Sequence, residues 1–236
     1  MRKLSFTEAV RVIVVSGIAT GAIVVGLGSR VAMMILRLTS PDRVRGVVSD
    51  DGFVIGRVTL GGTYNLMQLG AAVGIIGACV YMLVGPRLIG PLWFRRLTTG
   101  LAAAAVGGAM LVHADGIDFT MLKPTWLAIG LFVALPGIFG AVIGASVDAV
   151  KRPDSWTRVG RRRWILFVIA MGCFPLIAVI LVPIGALVAL CTALDASDLV
   201  TRARDTAAYV FAVRSLWLAA AAVGLVALVN DVAALA

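Results

Sequence analysis

Two arginines lie inside long apolar runs of this 236-residue chain, where charged side chains are rare. Arg30 belongs to the first run and Arg214 to the last. A charged side chain at the centre of a bilayer costs from about 2.5 to more than 10 kcal/mol, so such residues normally pair, face a cavity or reach the interface. Because guanidinium groups match carboxylates and phosphates in geometry, both arginines are candidates for binding an anionic solute or lipid headgroup.

One histidine and several aspartates are the residues that could complete such a site. They are His113, Asp115 and Asp118 after the third apolar run, and Asp50 and Asp51 after the first. If the helices run as expected below, these side chains and the two arginines converge on one polar pocket open to the outer side of the membrane. The same charges could instead pair only to hold loops on the bundle, or the arginines could reach the interface, and the sequence leaves these alternatives open.

Catalytic chemistry has less support. A histidine beside carboxylates can bind a metal ion or act as a general base, but a catalytic metal site normally takes three protein ligands. The sequence offers no third ligand at a defined spacing, and it has no HExxH, GxSxG or phosphate-loop pattern. We therefore expect no metal and no cofactor, and we assign no catalytic residue.

The composition indicates the kind of protein that must position these residues. Hydrophobic residues make up 61% of the chain and charged residues 14%, and the mean hydropathy is +1.02. Soluble domains are about half apolar and a quarter charged, so the composition predicts one polytopic membrane domain over residues 1–236. The net charge of +9 suits topology and contact with anionic membrane lipids, and we expect no nucleic-acid partner.

Apolar runs long enough to cross a bilayer predict an all-α bundle of about six transmembrane helices. The predicted helices cover residues 9–38, 64–84, 94–112, 126–147, 164–190 and 206–234. The first run is too long for the apolar part of a secretory signal, so it is expected to remain as a helix. Lysine and arginine are more frequent in the segments that are inside when the N-terminus is cytoplasmic, which predicts both termini inside. The arginine-rich, alanine-rich composition suggests the inner (plasma) membrane of a bacterium.

Two further features concern packing. Glycines at small-xxx-small spacing predict close helix contacts, mainly within the chain; the pairs are Gly17 and Gly21, Gly70 and Gly74, and Gly140 and Gly144. The segment 39–63, between the first two helices, is predicted to be an ordered outer loop or a short hairpin, since it alternates apolar and polar residues near its end.

Three functional hypotheses follow from these features. The first is a non-catalytic transport or ligand- and lipid-binding protein with the outward-facing polar pocket. The second is a structural subunit that uses its glycine faces to pack against a protein partner in a larger membrane complex. The third is an enzyme that modifies a lipid in the outer leaflet with His113, Asp115 and Asp118.

Overall fold

The protein is a bundle of helices in the part of the chain that the structure describes. A computed structural model describes residues 6–155 apart from 45, 49–51, 53–57 and 115, together with residues 179 and 206–235. The helices are α1 (Phe6–Thr20), a π-helical segment (Gly21–Leu27), α2 (Gly28–Thr39), α3 (Leu60–Val84), α4 (Leu92–Leu111), α5 (Ile117–Met121), α6 (Thr125–Lys151) and α7 (Ala207–Leu235). Short 3-10 turns cover Asp42–Val44 and Gly85–Arg87.

Five of the six predicted apolar helices are confirmed as helices, with ends within four residues of the prediction. Four helical stretches are long and apolar enough to cross a membrane, and they are Glu8–Thr39, Leu60–Arg87, Thr125–Lys151 and Ala207–Leu235. The α4 helix is 20 residues long and is less apolar, because Arg95 and Arg96 lie near its start. The predicted helix 164–190, apart from residue 179, lies outside the described residues, as do residues 45, 49–51 and 53–57 of the outer loop, so the count of six stays a prediction.

Glycines bring α1 and the π-helical segment into backbone contact with α3. A β-carbon added to Gly17 would lie 2.7 Å from the Ile75 Cα, and one added to Gly21 would lie 2.8 Å from the Gly74 Cα. No other residue type allows this approach, since every other side chain begins with a β-carbon. The predicted glycine pairs of the first two long helices therefore pack against each other within the chain.

A second close contact joins α4 and α6. A β-carbon on Gly140 would lie 2.8 Å from the Thr99 carbonyl oxygen, and one on Gly107 would lie 2.6 Å from the Pro136 Cβ. As the residue number rises in α6 it falls in α4, so the two helices are antiparallel. The α1–α3 pair is antiparallel in the same way, and α6 also packs against α1 and α3.

The last helix runs in the direction opposite to the prediction. Gly224 packs on Val106, and Leu228 packs on Gly108 further along α4, so α7 is parallel to α4. Helices α1, α4 and α7 begin at one end of the bundle, where α3 and α6 finish. We call this the basic end and the opposite one the far end. In the described residues α1 begins at the basic end and α7 finishes at the far end, which differs from the direction expected for α7, and the sidedness of the two termini stays a prediction. The basic end holds Arg87, Arg95, Arg96, Lys151, Arg152 and Arg214.

Candidate functional site

The two intramembrane arginines, predicted to share one pocket, lie at opposite ends of the bundle. The Arg30 guanidinium packs against Gly62, in the first turn of α3 at the far end. The Arg214 Nε donates a hydrogen bond of 2.7 Å to the Arg87 carbonyl, just after α3 ends. Gly62 and Arg87 are 25 residues apart, which is about 37 Å along a helix. One pocket therefore cannot contain both arginines, and the reversed direction of α7 is the reason.

The predicted acidic and histidine residues are also divided. His113 is exposed just beyond the end of α4, and its carbonyl accepts a hydrogen bond of 3.1 Å from the Gly116 N–H. The Asp118 side chain is only 2% exposed, in the first turn of α5. The two side chains therefore lie in different environments. Asp50, Asp51 and Asp115 lie outside the described residues.

Other contacts hold the loops together at the far end. Arg37, at the end of α2, forms an ion pair of 3.0 Å with Asp42. The Ser40 hydroxyl accepts a hydrogen bond of 2.9 Å from the Lys123 N–H and donates one of 3.2 Å to the Lys123 carbonyl. The Ser40–Lys123 contacts tie the chain after α2 to the chain before α6, and the Arg37–Asp42 pair fixes the turn that follows α2.

A cluster that the sequence did not reveal joins three helices near the basic end. The Asp148 Oδ2 atom of α6 accepts a hydrogen bond of 3.1 Å from the Tyr81 hydroxyl of α3. The same oxygen forms an ion pair of 3.2 Å with the Arg96 Nη2 atom of α4. Tyr81 is buried, and its ring also packs against Gly85 and Gly144. A carboxylate shared by a tyrosine and an arginine is stable where water is scarce, because both donors compensate its lost hydration.

The middle of the bundle contains two irregular helices side by side. The π-helical segment Gly21–Leu27 occupies the centre of the span Glu8–Thr39, and α6 contains Pro136 near its own centre. A β-carbon on Gly28 would lie 2.7 Å from the Leu135 Cδ1 atom, which shows that the two regions touch. Pro136 has no N–H, so the usual helical hydrogen bond to the carbonyl four residues earlier is missing.

Hydroxyl groups lie on the same two helices beside the π-helical segment, and those of Thr20 and Ser146 lie toward the basic end from this contact. The Thr20 hydroxyl, directly before the π-helical segment, donates a hydrogen bond of 2.8 Å to the Ser146 hydroxyl of α6. The Ser29 hydroxyl donates to the Val25 carbonyl inside the segment. Serine and threonine side chains commonly satisfy backbone groups that an irregular membrane helix frees. The apolar span around the π-helical segment therefore contains polar groups on both sides of that segment.

The loop between α3 and α4 gathers arginines at the basic end. The Arg95 Nε donates a hydrogen bond of 2.8 Å to the Gly90 carbonyl, three residues after the carbonyl that Arg214 binds. The Arg87 guanidinium lies 4.8 Å from the centre of the Tyr209 ring of α7. Two helices thus use arginine side chains to hold one short loop.

No group of three or more histidine, cysteine, aspartate or glutamate residues that could hold a metal ion is found among the described residues. The long apolar helices indicate a multi-pass helical membrane protein. Polar and charged side chains lie beside the π-helical segment and at both ends of the bundle. Comparisons with protein-family models, with curated proteins and with solved structures give no match to this chain.

Proposed function

We propose that this chain is a non-catalytic protein of the bacterial inner membrane that binds a small ligand at mid-depth, between the π-helical segment and α6, and transports it. The observation that carries the proposal is the contact between two irregular helices in the middle of the bundle. Transporters commonly bind substrates near the bilayer midplane, where interrupted helices leave backbone groups available to the ligand. Short π-helical segments also occur frequently at functional sites.

Hydroxyl groups on the basic-end side of this contact suit such a site. Thr20 is buried directly before the π-helical segment, and Ser16 is buried about one turn earlier. Ser146 of α6 accepts the hydrogen bond from Thr20. Hydroxyl groups both donate and accept hydrogen bonds, so they can exchange their present partners for those of a polar ligand. This exchange needs only small rotations, because each hydroxyl turns about a single bond.

The distribution of cations indicates which end of the bundle faces the cytoplasm. The basic end carries most of the cations described above, and cytoplasmic segments of membrane proteins are enriched in lysine and arginine, which favours a cytoplasmic basic end. The far end would then face outward, and Arg30 lies there, three residues after the π-helical segment. In this arrangement Arg30 attracts an anionic ligand toward the mid-depth site, whereas Arg214 belongs to the opposite side.

The structural-subunit and lipid-modifying-enzyme hypotheses have less support from the described residues. Packing against a protein partner through the glycine faces would require those faces to be open, but Gly21, Gly74 and Gly140 are covered by helices of the chain itself. A lipid-modifying enzyme would require His113 and Asp118 to act together, but one is exposed and the other is buried.

Metabolite uptake by sealed membrane vesicles tests the proposal. Vesicles from a bacterial host that produces the wild-type chain, a Pro136→Ala variant or no chain would be incubated with a metabolite extract and analysed by mass spectrometry. We expect at least one metabolite to accumulate with the wild-type chain and severalfold less with Pro136→Ala. Since alanine is favoured over proline by about 3 kcal/mol inside a helix, the variant should remain folded and melt at the same or a higher temperature.

Pro91→Ala is the matched control, because Pro91 precedes α4 and lies outside the mid-depth layer. It should leave uptake unchanged. Identical metabolite profiles with and without the wild-type chain would refute transport. Equal losses of uptake in Pro91→Ala and Pro136→Ala would refute the special role of the mid-depth contact.

A further inference from the structure

Three arginines surround the loop between α3 and α4, and two of them are fixed by their inner nitrogens. Arg95 and Arg214 each donate Nε to a loop carbonyl, at 2.8 Å from the Gly90 oxygen and 2.7 Å from the Arg87 oxygen. The loop is short and turns through Gly90, which has a φ of +94°. Because the two carbonyls are three residues apart, they lie within about 11 Å of each other even if the chain between them is fully extended.

Within the described part of the chain, nothing occupies the outer nitrogens of these two side chains. The Nη groups of Arg95 and Arg214 make no hydrogen bond to the described residues, and neither guanidinium lies within 4.0 Å of a carboxylate among them. Arg96, by contrast, is neutralised by Asp148. A guanidinium held through Nε presents its Nη edge in a fixed direction, and that edge matches two oxygens of a phosphate.

A third cation belongs to the same cluster. Arg87 projects over the Tyr209 ring and donates a hydrogen bond of 2.8 Å from its Nη1 atom to the Leu83 carbonyl. Stacking on an aromatic ring and bonding to a carbonyl both restrict the side chain. We call Arg87, Arg95 and Arg214 the arginine cluster. Arg95 and Arg214 have the same charge, so an anion between them would relieve their mutual repulsion.

The neighbouring surface indicates where the anion comes from. Trp93 is 66% exposed at the start of α4, and Leu92 beside it is exposed as well. Phe211 and Leu216 are exposed on α7, on either side of Arg214 in the sequence. Tryptophan at the end of an apolar helix is typical of the membrane–water interface. The cluster therefore lies at the depth of lipid headgroups, beside apolar side chains that can contact acyl chains.

We propose that the arginine cluster is a binding site for the phosphate of an anionic phospholipid in the leaflet at the basic end. The phosphate oxygens accept hydrogen bonds from the Nη groups of Arg95 and Arg214, and the acyl chains lie along the exposed apolar side chains of α4 and α7. The site is independent of the mid-depth ligand site and lies at the basic end of the bundle. It also joins α7 to α4, since the two arginines come from these two helices.

The test compares lipids on the delipidated full-length chain in detergent. Native mass spectrometry and thermal melting would be measured with phosphatidylglycerol, with phosphatidylcholine of the same acyl chains, and with inorganic phosphate. We expect wild-type protein to bind phosphatidylglycerol about tenfold or more tightly than phosphatidylcholine, because both lipids have the same phosphate but the trimethylammonium group of phosphatidylcholine is repelled by the arginines. Equal binding of the two lipids would overturn the proposal without any variant being needed.

Variants then locate the site. The double variant Arg95→Gln with Arg214→Gln should lose the preference for phosphatidylglycerol, whereas Arg152→Gln, which removes an exposed cation at the same end, should keep it. Equal losses in the two would mean that only net charge matters, and would overturn the site. If the double variant does not fold, Arg95→Gln alone provides the test, because it keeps the Arg214 contact between helices. It should lower the preference for phosphatidylglycerol by half or more. Displacement of the lipid by millimolar inorganic phosphate would support the phosphate chemistry but overturn the lipid as its natural source.

Discussion

Substituting Gly74 by alanine should separate α3 from α1 and lower the stability of the bundle. A β-carbon at this position would lie 2.8 Å from the Gly21 Cα and would also meet the Gly17 carbonyl. Both neighbours are backbone atoms, so no side-chain rotation can make room. The helices must move apart by about 1 Å or more before the new methyl group reaches an ordinary van der Waals distance from the Gly17 carbonyl oxygen.

The size of the effect follows from two opposing contributions. Adding a methyl group to a well-packed interior costs about 1–3 kcal/mol, and the rigid neighbours of Gly74 favour the upper value. Alanine is better than glycine inside a helix by about 1 kcal/mol. The net loss is therefore about 2 kcal/mol in the free energy of unfolding. For a chain of this size, that loss lowers the melting temperature by about 4–8 °C.

Thermal melting in detergent, followed by tryptophan fluorescence, measures this change. Gly130→Ala is the matched control, because no atom lies within 4 Å of a β-carbon at Gly130 and that residue is also inside a long helix. The control should gain the helix preference alone and melt about 2–4 °C higher than the wild-type chain. If the two variants melt at the same temperature, the close approach of α1 and α3 is refuted.

Two other predictions concern the contacts between helices and their directions. Asp148→Asn should lower the melting temperature more than Tyr81→Phe, because the carboxylate accepts from two donors and each hydrogen bond to a charged group contributes about 1.5–3 kcal/mol; equal effects would contradict the three-helix cluster. In a chain without its native cysteines, a membrane-impermeant maleimide should label Leu38→Cys and Ala234→Cys from one side of sealed vesicles and Arg152→Cys from the other. Labelling of Ala234→Cys together with Arg152→Cys would show that α7 runs in the opposite direction.

The positions of the helices could be predicted because apolar runs and their charged boundaries are local features. The run from 126 to 147, for example, becomes α6 (Thr125–Lys151), extended at its end by one turn that includes Asp148 and Lys151. The glycine spacing likewise predicted close contacts within the chain. Which helix a glycine faces, and in which direction α7 runs, depends on packing between distant segments, and hydropathy contains no information about that packing.

The polar groups were harder to predict. Asp148 looks in the sequence like an ordinary acidic residue at a helix end, and Tyr81 looks like an interfacial aromatic residue. Their contact with Arg96 depends on three helix ends meeting at the same height. The sequence predicts that Arg214 is an unusual intramembrane charge, and its observed partner is the Arg87 carbonyl. Every residue has a backbone carbonyl, so the sequence does not indicate which carbonyl accepts a hydrogen bond from Arg214. Only the structure could reveal this partner.

The parallel packing of α7 on α4 has a consequence for the synthesis of the chain. The α1–α3 and α4–α6 pairs are antiparallel helices that follow one another along the chain, so each pair can form as soon as its second helix has entered the membrane. The α7 helix cannot join α4 until the whole chain up to its end has been made. During that interval Gly108 and Val106 of α4 are without their α7 neighbours. Ribosome-bound chains that stop before α7 should therefore be the ones most exposed to membrane quality-control proteases.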